Sequence, residues 1–273
     1  MNAAGRFRET MRHVRMHWPP YLLLYGGVVG ALLLIGGGIT QGWPGLVPLG
    51  LALWLVSTYF LFTALWTAYQ LHDAPHRRPP AALFAMSQVR PTDHIAYVGL
   101  GRRGPALELY RYLTEGELVV VDVYNPQLAP GRGLVRERTA APSPPQDPRL
   151  RWRDGSIALL PLPNASVTAV FAIQVLSALG EQGDREKLLR EIYRVLPPNG
   201  RLLIAERLPT QTNWLALGPL AMRLQSKRYW FDLLEGAGFQ VQSERDLLGL
   251  MHCFRADKPV PGAGRQLRLD LGF

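Results

Sequence analysis

The chain has 273 residues and a formal net charge of +9, and nearly all of its cationic side chains are arginine. The arginines are spread without a basic run or interleaved aromatic platform, which argues against a nucleic-acid partner and favours an anionic membrane surface. The single cysteine, Cys253, excludes an intrachain disulfide and a zinc knuckle, and no metal site is expected.

Two long apolar stretches near the N-terminus predict a transmembrane hairpin. Residues 21–39 and 46–71 contain no Asp, Glu, Lys or Arg. Each stretch is long enough to cross a hydrocarbon core of about 30 Å at 1.5 Å per residue. A short turn at 42–45 separates them, and aromatic residues cluster toward their ends. A cleaved signal peptide fits less well, because a second span follows the first.

The charges around this hairpin predict its orientation. Arginines crowd the segment before the first span and His76-Arg77-Arg78 follows the second, whereas the intervening turn is uncharged. The positive-inside rule then places both termini in the cytoplasm, with the hairpin in the inner or plasma membrane and the large domain on its cytoplasmic side. Glycines in the first span would permit close packing of the hairpin on itself or on a second copy, forming a homodimer.

Composition divides the chain into five parts. We predict a basic N-terminus (1–18), the two-helix transmembrane hairpin (19–72), a proline-rich linker (73–80), a domain of ordinary composition (81–259) and a C-terminal tail (260–273). Within the domain, residues 125–148 are rich in proline and predict a surface loop with at most a short helix.

A glycine motif lies between a predicted strand and a predicted helix. The apolar run 94–98 passes into Gly99-Leu-Gly101-Arg-Arg-Gly104, a helix follows, and 118–121 form a second strand closed by Asp122. Glycine lets a ligand lie against the backbone, and the helix N-terminus supplies free N–H groups. Because Asp122 is a natural acceptor for ribose hydroxyls, this context predicts a nucleoside site.

The rest of the domain continues the alternation of strands and helices. Strands are predicted at 150–154, 165–174 and 201–206, and a helix capped by Asp184 precedes the last of them. A helix at 227–235 and two extended runs, 239–245 and 248–255, follow. We therefore predict an α/β fold: a Rossmann-like, doubly wound, mainly parallel sheet with a C-terminal antiparallel edge hairpin, preceded by the transmembrane hairpin.

Several motifs resemble class I S-adenosylmethionine-dependent methyltransferases, most of all the small-molecule branch that includes ubiquinone and menaquinone C-methyltransferases. Residues 188–206 are similar to the helix, Pro-Gly turn and fifth strand of that family, and Glu235-Gly-Ala-Gly-Phe239 to its entry into the sixth strand. Asp154 followed by Leu160-Pro-Leu-Pro-Asn164 looks like its acid-then-LPFPD pattern. The resemblance covers 81–259.

The resemblance implies S-adenosylmethionine as the cofactor. The cofactor-binding positions carried over are Tyr97, Gly99, Gly101, Asp122, Asp154, Gly155 and Gln174. The first two glycines of the turn would line the methionine and ribose portions, the acid closing the second strand would accept the ribose hydroxyls, and the acid and glycine after the third strand would meet adenine. The glutamine would face the methyl group. No base stands out, and Gln174, Glu206 and His252 are the catalytic candidates.

Three departures from the family pattern keep other functions open. Tyr97 replaces a common acid, Arg103 a glycine, and Thr168 an acid that often follows the LPFPD piece. A non-catalytic, membrane-tethered module would explain these departures. An NAD(P)-binding oxidoreductase would also fit the glycine turn and Asp122, although no Tyr is followed four residues later by Lys.

The preferred hypothesis is a membrane-anchored methyltransferase acting on a lipophilic or small-molecule acceptor, such as a quinone precursor or a phospholipid amine. Residues 209–224 support it, because they are apolar and follow the fifth strand, where the family builds part of its substrate lid.

Overall fold

The computed structural model describes residues 7–74, 78–129, 131–141, 145 and 147–260. The first six residues, part of the predicted linker, parts of the 125–148 loop and the tail beyond 260 lie outside the described residues. The chain divides into two compact units, one of Met1–Arg78 with Thr210–Met222 and the other of Pro79–Pro209 with Arg223–Phe273.

The described residues form the following helices and strands, given in chain order. The helices are α1 (Arg8–Met16), α2 (Trp18–Thr40), α3 (Leu46–His72), α4 (Pro79–Ser87), α5 (Arg103–Tyr110), α6 (Arg132–Thr139), α7 (Gln182–Val195), α8 (Gln211–Leu217) and α9 (Lys227–Gly236). The strands are β1 (Ile95–Gly99), β2 (Leu118–Asp122), β3 (Leu150–Asp154), β4 (Ala169–Ile173), β5 (Arg201–Glu206), β6 (Gln240–Leu247) and β7 (Met251–Asp257). A 3₁₀ turn, Gly218–Arg223, follows α8.

One seven-stranded sheet organises the second unit. Its order is β3-β2-β1-β4-β5-β7-β6, and the first five strands are parallel. β7 runs antiparallel to β5, and β6 antiparallel to β7. Every residue of β1 and β4 is buried, as expected for strands covered on both faces. The predicted doubly wound sheet with an antiparallel edge hairpin is confirmed.

Several boundaries differ from the sequence prediction, among them those of α7 and β4. α7 begins at Gln182 after Glu181, so Asp184 lies in the first turn and not at the N-cap. A carboxylate there still complements the positive end of the helix, and it pairs with Lys187 Nζ at 2.9 Å. β4 is shorter than predicted, running from Ala169 to Ile173, and Gln174 directly after it has a positive φ of 52° that does not continue a strand.

The first unit contains two helices, α2 and α3, that are long and apolar enough to cross a membrane. A Cβ added at Gly27 of α2 would lie 2.5 Å from Ser57 Oγ of α3, so glycine lets the two backbones approach. Asp73, just after α3, accepts hydrogen bonds from the Thr10 amide at 2.8 Å and the Thr10 hydroxyl at 2.6 Å. These bonds fix α1 against the end of the hairpin.

The segment after β5 belongs to this same unit. The Tyr59 hydroxyl of α3 donates a hydrogen bond to the Leu215 carbonyl of α8 at 3.0 Å. Gly218, with φ of 56°, lies so close to Phe60 that an added Cβ would be 3.0 Å from its ring. Thr210–Met222, which the sequence places within the α/β domain, therefore packs on the apolar hairpin.

Candidate functional site

Three predicted site residues lie side by side at one edge of the sheet. The strand register pairs Gly99 with Asp122 and Asp122 with Asp154, so the last residues of β1, β2 and β3 form one row. This row marks the carboxyl edge of the parallel strands, where open α/β sheets bind their ligands. The register thus brings together the positions at which the sequence places the cofactor.

The turn after β1 depends on two of its glycines. Gly101 has φ of 79°, which is a left-handed conformation that other residues adopt only with strain. A Cβ at Gly99 would lie 2.6 Å from the ring of Tyr97. Tyr97 is 1% exposed, and burial raises the pKa of its hydroxyl well above the usual value. The Tyr97 ring therefore packs against the turn as an uncharged side chain.

A side chain from α6 covers the acid of the row. Asp122 Oδ1 accepts the Tyr124 amide at 3.0 Å, and Oδ2 is ion-paired with Arg138. The Arg138 guanidinium also lies over the Tyr124 ring, 4.2 Å from its centroid. A Cβ on Gly101 would fall on this guanidinium. Arg138 thus occupies both the carboxylate and the backbone surface of the glycine turn.

The neighbouring residue of α6 joins a second ion pair. Glu137 Oε2 lies 2.6 Å from Arg102 Nε in the glycine turn. Arg102 Nη1 donates a hydrogen bond to Gln174 Oε1 at 3.1 Å, directly after β4. Glu137 and Arg138 of α6 therefore contact the glycine turn and the end of β2. Arg102 links this network to the end of β4. The sequence predicts at most a short helix within 125–148 and gives no sign of these contacts.

A cleft lies beside this network, toward β3. It has a volume of about 180 Å³ and is lined by Gly101, Arg103, Asp122, Arg138, Trp152, Arg153 and Asp154. The Arg103 guanidinium lies 5.6 Å from the centroid of the Trp152 ring. Gly155 packs tightly behind the row, since an added Cβ would lie 2.7 Å from Val121 Cγ1. The cleft offers an aromatic side chain and a carboxylate to a planar base.

The three catalytic candidates lie in different surroundings. Gln174 lies at the network just described. Glu206 is fully buried, and its Oε1 accepts the amides of Leu176 at 3.0 Å and Ser177 at 3.3 Å, so it positions the loop after β4. His252 Nε2 lies 3.1 Å from Glu244 Oε2 on the neighbouring strand. Of the three, only Gln174 borders the glycine turn through a hydrogen bond to it.

Glu206 makes the free energy of unfolding depend on pH. Burial raises its pKa from 4.5 to about 7. Between these values the folded state keeps a proton that the unfolded state releases, so stability falls as the pH rises through about 7. The loss is roughly 3 kcal/mol when complete.

We expect Glu206→Gln to match the wild type at pH 4.5 and to melt about 6–12 °C higher at pH 8, in thermal unfolding of the detergent-solubilised chain. Equal melting temperatures at pH 8 would mean that Glu206 does not titrate in this range.

Comparisons with known proteins identify the domain. Residues 97–204 match the family described as "Methyltransferase domain". A probable S-adenosylmethionine-dependent methyltransferase from Mycolicibacterium smegmatis is 35% identical over 121 residues, which are 42% of this chain and 44% of that protein. The chain thus matches less than half the length of this curated relative. Residues 97–204 are therefore similar to a methyltransferase domain, and the curated relative is described as S-adenosylmethionine-dependent.

Solved structures share the fold of this methyltransferase domain. An S-adenosylmethionine-dependent methyltransferase from Aquifex aeolicus has a TM-score of 0.54 at 19% identity, covering 68% of this chain and 94% of its own. The cyclase SpnF has a TM-score of 0.51 at 19% identity, covering 70% and 83%. Because one of these proteins is a cyclase, the fold by itself does not define the reaction.

The residues of the methyltransferase domain fit a nucleoside cofactor once Arg138 moves. Asp122 supplies a carboxylate that can accept hydrogen bonds. Gly101 has no side chain to block a ligand, and Trp152 offers an aromatic ring on which a base can stack. The volume of about 180 Å³ is below the roughly 300–1,000 Å³ of typical ligand pockets. The Arg138 side chain lines that space, so a ribose bound to Asp122 would compete with this guanidinium for the carboxylate.

Removing that competitor should tighten cofactor binding. A partly exposed ion pair and a cation–π contact are together worth about 1 kcal/mol. We therefore expect Arg138→Ala to bind S-adenosylmethionine about five- to tenfold more tightly, measured by isothermal titration calorimetry. Arg136→Ala, two residues away on α6, is the matched control and should leave the affinity unchanged. Weaker binding by Arg138→Ala would mean that the guanidinium contacts the cofactor instead of competing with it.

Proposed function

We propose that the protein is a membrane-anchored methyltransferase that transfers a methyl group from S-adenosylmethionine to a lipophilic acceptor. The observation that carries the proposal is the row formed by Gly99, Asp122 and Asp154. This row adjoins the turn in which Gly101 adopts a left-handed backbone conformation. The cofactor supplies an already activated methyl group, so the chain's main task is to bind and orient the reactants. Asp122 would accept the ribose hydroxyls and Gln174 would border the methyl group.

The membrane part of the proposal rests on α2 and α3. Both helices are long and apolar enough to span, and the chain carries no Asp, Glu, Lys or Arg from Met16 to His72. The arginines before α2 and after α3 favour an orientation with both ends in the cytoplasm. A hairpin in the inner or plasma membrane would hold the domain beside acceptors dissolved in the bilayer, such as quinone precursors or phospholipid amines.

The absence of an identified base suits some acceptors better than others. Glu206 is buried and His252 is paired with an acid of the neighbouring strand. An enolic or acidic hydroxyl, or an amine that arrives deprotonated, needs only alignment with the methyl group. The proposal therefore favours acceptors that ionise readily at neutral pH.

Two binding measurements and one turnover measurement test the proposal. The full chain in detergent is titrated calorimetrically with S-adenosylmethionine and S-adenosylhomocysteine, and in parallel with NADH and NADPH. We expect binding of the two sulfur compounds alone, followed by transfer of radiolabelled methyl groups to bacterial lipid extracts. Binding of NADH or NADPH instead would favour an oxidoreductase, and binding of none by the folded chain would favour a non-catalytic module.

A further inference from the structure

The segment from Gln211 to Met222, here called the insert, is unusually apolar for an exposed part of a protein. The sequence from Leu208 to Met222 contains no ionisable residue. Four large side chains of the insert are solvent-accessible in the structure: Trp214 (43%), Leu215 (57%), Leu220 (58%) and Met222 (73%). Contiguous exposed apolar side chains of this kind mark an interaction surface.

The insert packs against a defined level of α3. The Tyr59 hydroxyl donates to the Leu215 carbonyl at 3.0 Å, and the next residue, Phe60, lies under Gly218. Both contacts fall near the middle of α3, which runs from Leu46 to His72. The exposed face of the insert is therefore continuous with the apolar surface of the hairpin.

Helix geometry gives the depth of that level in a bilayer. If the hydrocarbon core begins at Leu46, its thickness of about 30 Å extends for about 20 residues and ends near Trp66. A tryptophan is a typical residue for that boundary. Tyr59 lies seven residues before Trp66, or about 10 Å inside the hydrocarbon. An element that packs on Tyr59 is thus about 10 Å from the hydrocarbon boundary near the C-terminal end of α3.

The hydrogen bonds of the insert backbone suit a position within the hydrocarbon. The last carbonyls of a helix lack partners within the helix, and an unpaired carbonyl in hydrocarbon costs several kcal/mol. Tyr59 satisfies the carbonyl of Leu215, and the Trp214 carbonyl accepts the Gly218 amide. At the other end, the Thr210 hydroxyl accepts the Asn213 amide at 3.2 Å. The first ionisable residues on either side are Arg207 and Arg223, whose charges suit the headgroup level.

We propose that the insert lies within the acyl chains of the membrane leaflet that holds the C-terminal half of α3. This inference rests on the proposed membrane anchoring and narrows the substrate class to lipids that reside in that leaflet. The insert leaves the methyltransferase domain directly after β5, one of the parallel strands whose carboxyl ends form the edge of the proposed site. A lipid in the same leaflet would meet the insert with its apolar body while its reacting group stays near the headgroups.

Depth-dependent quenching of single labels tests the inference without requiring activity. In a Cys253→Ala background, cysteine is introduced by Leu215→Cys, Leu220→Cys or Met222→Cys and labelled with an environment-sensitive fluorophore. The full chain is reconstituted in phosphatidylethanolamine–phosphatidylglycerol vesicles. Leu55→Cys on α3 (60% exposed) serves as the lipid-facing reference, and Leu159→Cys on the domain (65% exposed) as the aqueous reference.

We expect the three insert labels to behave like the label at position 55. Acyl-chain nitroxides should quench them several-fold more strongly than aqueous iodide, with the reverse order at position 159. Insert labels that respond like position 159, while position 55 remains in lipid, would overturn the inference and leave the membrane anchoring intact. Iodide access at position 55 as well would overturn both.

Discussion

Replacing Gly101 by valine is expected to lower the affinity for S-adenosylmethionine roughly 100-fold, or about 2.7 kcal/mol. Gly101 has φ of 79°, and its α-carbon faces the space now held by the Arg138 guanidinium. A β-branched side chain would strain the backbone and fill the surface on which we propose that the cofactor lies. Calorimetric titration of the solubilised chain measures the effect, and thermal unfolding establishes that the variant is folded.

The same motif offers a matched control. A Cβ added at Gly104 has no neighbour within 4 Å, because this residue lies on the open side of α5. We expect Gly104→Ala to leave cofactor affinity unchanged and to stabilise the helix by about 0.5–1 kcal/mol. If Gly101→Val binds the cofactor as well as Gly104→Ala does, the binding site is not at this turn.

Most of the sheet could be predicted because each strand carries its own local signal. β1, β2 and β5 are short apolar runs bounded by glycine or acid, and buried parallel strands need little else. The end of α7 is equally local, since Pro197 and Pro198 cannot continue a helix. The row of Gly99, Asp122 and Asp154 then follows from the parallel order of three strands, which places their last residues at one edge.

The roles of Arg138 and Glu137 could not be predicted, because they depend on how a helix within a proline-rich segment folds back over the sheet. The sequence shows three alternating charges from Arg136 to Arg138, a pattern that equally fits a solvated loop. Only the structure shows that two of these charges are paired with Arg102 and Asp122.

The position of the insert was hidden for a related reason. Composition marks Thr210–Met222 as an apolar part of the domain, but it cannot reveal packing against a helix about 150 residues earlier in the chain. One signal was present in retrospect. Tyr59 is one of several hydroxyl-bearing residues inside a span without charged residues, and a buried or lipid-facing hydroxyl usually has a hydrogen-bond partner.

Asp122→Asn is expected to weaken cofactor binding by different factors in two backgrounds. Hydrogen bonds to a charged acceptor are worth about 1.5–3 kcal/mol, so losing the carboxylate in Arg138→Ala should cost roughly 100-fold in affinity. In the wild-type background the loss should be about tenfold smaller, because Asp122→Asn also releases the ion pair that a cofactor bound to Asp122 would have to break. Four dissociation constants, measured calorimetrically, complete this cycle. Equal losses in both backgrounds would show that Arg138 and the cofactor do not share Asp122. Unequal losses in the expected direction would show that Arg138 and the cofactor compete for Asp122, and the coupling energy would measure that competition.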